Sequence, residues 1–181
     1  MLRRELPGGY ALRLLEESDA DELFAVIDAN REQLATWMPW ARQERAPEDT
    51  LPFIRATRRQ IAENDGLQTT IVDPGGAIVG MVGMHRVDWA NGGTSVGYWL
   101  AGDAQGRGVM TEAVRAYVDY AFATLGLHRV VIEAAVDNAR SRAVAERLGF
   151  REEGVLREAE RVAERMLDHV IYSMLAADWR A

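Results

Sequence analysis

Gln105-Gly106-Arg107-Gly108-Val109-Met110-Thr111 decides how this chain is read. It follows an apolar, strand-forming run over residues 94–100. It opens a segment whose apolar residues, Val114, Tyr117, Val118, Ala121, Phe122 and Leu125, fall at helical spacing. Strand, glycine loop and helix in that order build an anion site. The first turn of a helix offers unpaired N–H groups and the positive end of the helix dipole. Gly106 and Gly108 let the backbone approach phosphate oxygens with no Cβ between them, Arg107 adds a cation, and Thr111 adds a hydroxyl. The plain alternative is a tight strand-to-helix turn that only caps the helix. A Walker loop is excluded, because no Gly-Lys-Ser/Thr ends the segment. A dinucleotide fingerprint fails as well, with Thr111 at its third glycine.

Outward from the loop, the pattern alternates between strand and helix. Residues 67–72 and 77–86 flank Asp73-Pro74-Gly75-Gly76 and predict a hairpin. The strand 94–100 follows Asn91-Gly92-Gly93. Ser18-Asp19-Ala20-Asp21 starts a helix that runs to about Leu34 and breaks at Trp37-Met38-Pro39-Trp40. Pro47 opens a second helix, with Leu51, Ile54 and Ile61 inside. Downstream come a helix over 111–125 ended by Gly126, a buried strand over 128–136, a short helix over 141–148 ended by Gly149, and a strand over 170–175. This order predicts an α/β fold, one sheet with helices on both faces, in a single domain over residues 1–181.

Composition narrows the chemistry. The net charge of −7 argues against nucleic-acid binding and suits a cationic substrate, an amine or a basic polypeptide. There is no cysteine, which excludes disulfides, thiolate nucleophiles and cysteine zinc sites. His85, His128 and His169 lie far apart without metal-ligand spacing, so no metal is expected. No apolar run reaches the roughly 18 residues of a membrane span, and Arg3, Arg4 and Glu5 leave no apolar signal core. A cytoplasmic location away from membranes is the expectation.

Gln105-Gly106-Arg107-Gly108 resembles the Gln/Arg-x-x-Gly-x-Gly/Ala loop of the GNAT acetyltransferases. Met110 departs from the final Gly/Ala and is similar to the Rim-type branch, the ribosomal-protein N-terminal acetyltransferases. Residues 137–150, from Asp137-Asn138 to Gly149-Phe150, resemble that branch, as do 154–160, 168–175 and Trp37-Met38-Pro39-Trp40. The resemblance spans nearly the whole chain. It implies a GNAT fold, a mixed, mostly antiparallel sheet splayed between strands 4 and 5 with acetyl-CoA in the gap. It implies acetyl transfer to an amine, with a protein N-terminal α-amine favoured. A polyamine, amino acid or antibiotic acceptor is the alternative, and a non-catalytic acyl-CoA-binding module is a third. A homodimer fits the branch.

The resemblance also distributes roles. Gln105, Gly106, Arg107, Gly108, Val109, Met110 and Thr111 would hold the CoA pyrophosphate, and the backbone at Trp99 and Leu100 the thioester carbonyl. Asn138 would meet the pantetheine arm, and Arg140 or Arg142 the CoA phosphates. Many family members place a donor tyrosine where this chain has Ala145, so Ser141 is the expected hydrogen-bond donor to sulfur and Glu160 the general base. Without cysteine, direct attack in a ternary complex is the simplest route, and an α-amine with a pKa near 8 needs only modest help in losing its proton. Each assignment has a plainer rival. Asn138 and Ser141 are helix-cap types, and the two arginines suit a solvated surface. Glu160 sits in an acidic run with Glu158 its nearest competitor. The histidines read as structural, and Trp37, Trp40, Trp89 and Tyr172 as core rather than acceptor cleft.

Overall fold

The turn between the first two predicted strands shows how closely local chemistry directs this chain. Asp73 Oδ1 accepts hydrogen bonds from the N–H groups of Gly75 (2.8 Å) and Ala77 (2.9 Å), and Gly76 takes φ +90°. Around that hairpin the computed structural model, which describes residues 3–43 and 46–180, forms one eight-stranded sheet. The strands are β1 (Arg3–Glu5), β2 (Ala11–Leu14), β3 (Leu67–Val72), β4 (Ile78–Met84), β5 (Gly93–Leu100), β6 (Arg129–Ala135), β7 (Arg151–Val162) and β8 (Arg165–Leu175). Their spatial order is β1-β2-β3-β4-β5-β6-β8-β7, and every neighbouring pair is antiparallel except β5 and β6.

Helices cover both faces, as the sequence predicts. The face carrying Leu12, Ile71, Val82, Leu100, Ile132 and Tyr172 packs under α4 (Val109–Asp119) and α5 (Ala139–Arg147). The opposite face carries Ala11, Met81 and Trp99 against α1 (Ala20–Ala29), α2 (Arg31–Leu34) and α3 (Leu51–Ala62). These two cores fix which side of each strand is which, because successive side chains alternate.

Three strands are absent from the sequence reading. Strands β1 and β2 are short, and β7 is almost wholly exposed, so none has the alternating apolar pattern that marks a strand. Strand β8 begins at Arg165 rather than 170, its first half being mostly exposed with only Leu167 buried. The first helix divides at Asn30, and α4 starts two residues early, at Val109, and loosens into a π turn over Tyr120–Thr124.

The splay falls between β5 and β6, which are the fourth and fifth strands when the three-residue β1 is not counted. Their parallel pairing covers only Gly93–Ser95 against Arg129–Val131. Beyond it the strands separate, and β6 turns to β8 over its full length. The outer strands are fastened by Glu153, which accepts from Arg129 Nη1 at 2.8 Å and from Ser173 Oγ at 2.6 Å. The Arg129 guanidinium, and then the Ser173 hydroxyl, hold the Glu153 carboxyl at about 2, against an ordinary 4.5.

A lowered carboxylate pKa stabilises the fold above the unfolded value and ceases to do so as the pH falls through the folded one. Urea unfolding of wild type and Glu153→Gln should therefore differ at pH 7 and converge between about pH 4.5 and 2. An equal difference at both ends would show that this clamp carries no charge-dependent stability.

Candidate active site

Strand β5 ends at Leu100, and a single 3-10 turn over Gly102–Ala104 leads into the glycine loop. Gly106 and Gly108 both take left-handed conformations, φ +76° and +78°. A Cβ at either would meet nothing within 4 Å, so the backbone angle is what demands glycine, and the side facing outward is open. Gly108 is the N-cap of α4 and no side chain caps it, leaving the first-turn N–H groups available to an anion. Val109 and Met110 send their side chains into the core, so only their backbone can serve a ligand; Thr111 is half-buried in the same first turn. Arg107 Nη1 reaches Tyr10 Oη at 3.5 Å, on the wall of a cavity of about 610 Å³ between the loop, residues 7–10 and the Asp73-Pro74 turn.

The gap beside this loop has a polar edge. In the β4–β5 ladder, His85 N–H bonds Ser95 C=O and Ala101 N–H bonds Val79 C=O. Antiparallel alternation then gives Gly97 and Trp99 to β4 and turns the N–H and C=O groups of Tyr98 and Leu100 toward the gap, where the splay leaves them no strand partner. The sequence groups Trp99 with Leu100; the ladder gives the backbone role to Leu100 and Tyr98. Trp99 instead points its indole at Trp40, centroids 6.3 Å apart. Gln105 ties the gap's near end together: its Nε2 donates to Leu100 C=O at 2.9 Å, and its Oε1 accepts from Arg140 Nη1 at 2.7 Å.

On the α4–α5 face, the gap meets two hydroxyls. Asn138 Oδ1 accepts from Ser141 N–H at 3.2 Å and so caps α5, while its NH2 group has no protein partner among the described residues. Tyr98 Oη donates to Ser141 C=O at 3.0 Å, and Ser141 Oγ donates to Tyr98 Oη at 3.3 Å. Burial pushes the Tyr98 phenol up to about 12, outweighing the downward pull of Ser141, so it stays a protonated donor. Ala145 is fully buried beneath α5. Arg140 faces the glycine loop, but Arg142 is turned away, its Nε on Tyr172 Oη (2.9 Å) and its Nη1 on Val136 C=O (3.2 Å). Tyr172 thus belongs to the core and not to an acceptor cleft.

The opposite face carries titratable groups. His169 Nε2 lies 3.4 Å from Glu160 Oε2, and its Nδ1 lies 3.9 Å from Glu133 Oε2. Glu158 is separated from Glu160 by a bulge. It takes φ +50° and is tied through its N–H to Asp168 Oδ1 at 2.7 Å. His85 lies over Gly97, on β5. Burial pushes its imidazole down, with Glu133 pulling the other way. Trp37 packs with Ala135, Val162 and Leu167 on this face, beside an open hollow of about 270 Å³, whereas Trp89 is exposed and donates to Asn64 C=O at 2.7 Å.

The sequence therefore points to Ser141, Glu160 and the loop, and the structure places Ser141 beside the gap and Glu160 on the opposite face of the sheet, out on the edge strand β7. Tyr98, Glu133, His85 and His169 are missing from the sequence reading as site residues. The alternation of β5 around Tyr98 was the available signal for the first. Nothing local marks the other three, which meet only through strand order. Among the described residues no group of three or more histidines or acids is arranged to hold a metal ion.

Comparison with known proteins agrees with this geometry. Residues 10–151 match the family model described as Acetyltransferase (GNAT) domain. The chain is 39% identical over 170 residues to "Putative ribosomal N-acetyltransferase YdaF" of Bacillus subtilis (strain 168), covering 93% of this chain and 92% of that protein. It is 26% identical over 164 residues to the ribosomal-protein-serine acetyltransferase of Escherichia coli (strain K12), covering 91% of each. Among solved structures, the microcin C7 self-immunity acetyltransferase MccE in complex with acetyl-CoA and AMP superposes with a TM-score of 0.86 at 30% identity, over 94% of this chain and 97% of that one.

A Cβ added at Gly97 would sit 2.4 Å from His85 Nε2. Gly97→Ala should cost about 1–3 kcal/mol in thermal or urea unfolding by overpacking, and His85→Ala in the same chain should recover most of it. Equal losses with and without His85 would show that the imidazole does not occupy that space.

Proposed function

This chain belongs to the GNAT acetyltransferase family and to its Rim-type branch, and from that premise we propose that it carries acetyl from acetyl-CoA to a protein N-terminal α-amine. The observation that carries this proposal is the gap itself. It has a phosphate-sized, glycine-lined helix start at one end, hydroxyl donors on one face, and carboxylates on the other. Donor and acceptor enter from opposite faces and meet between β5 and β6.

Each group then has a task its position allows. The α4 first-turn N–H groups, with Gln105, Gly106, Arg107, Gly108 and Thr111, hold the CoA pyrophosphate. Asn138 offers its free NH2 to the pantetheine arm, and Arg140 its guanidinium to a phosphate. The N–H group of Tyr98, beside Ser141, steadies the thioester carbonyl as negative charge develops on its oxygen, and the Leu100 backbone, nearer the loop, meets the pantetheine arm. Ser141 hydrogen-bonds the departing sulfur. A serine hydroxyl is too weak an acid to supply the proton outright; it donates to Tyr98 Oη in the free chain and turns that hydrogen to the sulfur when the donor is bound. Glu160 takes up the proton that the ammonium loses, a modest demand for an α-amine with a pKa near 8. The domain spanning residues 1–181 acts in the cytoplasm, and no described helix is long and apolar enough to cross a membrane.

A second acceptor class has a specific observation in its favour. Half-buried Trp40 lies against the buried Trp99 on the acceptor face, an apolar backing suited to a flat or apolar small amine. Thiol release from acetyl-CoA separates the two with a panel of a Ser-initiated hexapeptide, an Ala-initiated hexapeptide, free amino acids and spermidine. The peptides should turn over at least about tenfold faster than the small amines, and blocking the peptide N-terminus should abolish release. Turnover confined to spermidine or amino acids would move the assignment to a small-molecule acetyltransferase.

A further inference from the structure

The acid that takes up the proton is not isolated. On the face opposite α4 and α5, one side chain from each of three adjacent strands forms a row: Glu133 from β6, His169 from β8 and Glu160 from β7. The last residue pair between β5 and β6 is Ser95 with Val131, so Glu133 is the next residue on that face of β6, at the lip of the gap. Glu160 is farther out, beyond β8, at the sheet edge. Across the gap, Gly97 has no side chain, and the space above it holds the His85 imidazole.

We propose that these residues form a proton path, in which Glu133 takes the proton from the acceptor amine at the gap and His169 relays it to Glu160. The proposal rests on the acetyl-transfer reading of the same site. An N–H bond of the acceptor ammonium breaks and an O–H bond forms on Glu133, leaving the nitrogen electron pair free to attack the thioester carbon. The Glu133 proton passes to His169 Nδ1 while the Nε2 proton passes to Glu160, whose exposed carboxyl gives it to water.

Imidazole suits the middle position because it accepts a proton at one nitrogen while releasing one from the other. The His169 side chain is only 14% exposed, which fixes both nitrogens toward the two acids. The Nε2–Glu160 separation of 3.4 Å is an ion-pair contact slightly longer than an ordinary N–H···O bond, and the Nδ1–Glu133 separation of 3.9 Å is longer still. Closing that step takes about 1 Å of movement by Glu133, a half-exposed side chain with room to swing inward. The charged groups set against Glu133 are His169 from β8 and His85 from the segment after β4; those set against His169 are Glu133 and Glu160. A histidine that merely fastened three strands together would affect stability alone.

The test compares wild type with Glu133→Gln, His169→Gln, Glu160→Gln and the His169→Gln/Glu160→Gln double variant, using acetyl-CoA and the Ser-initiated hexapeptide and spermidine as acceptors. Glu133→Gln should lower kcat about tenfold or more at pH 7, with the loss shrinking toward pH 10 as the amine deprotonates unaided, and with the KM for acetyl-CoA unchanged. The double variant should be no slower than the slower single one, because the two residues act in series. As a measurement independent of turnover, NMR titration of His85 should show a lower midpoint in Glu133→Gln, since the Glu133 charge favours its imidazolium. A wild-type pH–rate profile in Glu133→Gln, multiplicative losses in the double variant, or an unmoved His85 midpoint would each overturn the path. Wild type that releases no thiol with either acceptor would overturn acetyl transfer itself, and the path with it.

Discussion

The structure turns on a sheet that stops pairing. Strands β5 and β6 share three residue pairs and then part, although both run on for several residues. Backbone N–H groups left without partners in a protein interior cost about 1–3 kcal/mol each, so such a gap must be held open by something stronger than chance packing. Here the fastening comes from outside the ladder. The glycine loop ties Leu100 to Arg140 through Gln105, and the Tyr98 phenol braces β5 against the first turn of α5. The two strands are therefore kept at a set separation by side chains that cross the opening. In the proposed function these N–H groups are the binding surface.

That constraint divides the chemistry by face. The α4–α5 side supplies N–H groups, a guanidinium and hydroxyls, all donors, and suits an anionic ligand with a leaving thiolate. The other side supplies Glu133 and Glu160 around His169, acceptors that suit a cation losing a proton. The net charge of −7 agrees in sign with the second ligand, and the local donors overcome it for the first. In the proposed reaction the two ligands reach one point from opposite directions, and the sheet opening would fix that point without a nucleophile from the protein.

Much of this was legible in the residues. The loop could be read because Gly106 and Gly108 carry conformations that other residues resist, and because the following helix has a clean apolar period. Asn138 and Ser141 were legible as a cap, and they are one. What escaped was whatever buries little or meets only in space. Strand β7 exposes nearly all its side chains and reads as an acidic run, and β1 is three residues long. The different surroundings of Glu158 and Glu160 come from a bulge that ties the Glu158 N–H to Asp168 and leaves the Glu160 carboxylate beside His169, which no spacing argument contains. His85 and His169 looked structural because their acidic partners lie on other strands, brought beside them by the order β5-β6-β8-β7.

The central claim is that the unpaired edge of β5 is the place where the acyl donor lies. A crystal structure of the protein with CoA tests it directly. The account predicts the pyrophosphate on the N–H groups at the start of α4 and the pantetheine arm between Asn138 and the backbone of Leu100, leaving sulfur beside the Ser141 hydroxyl. Density for CoA away from the β5–β6 gap, or strands β5 and β6 zipped together along their length, would contradict it.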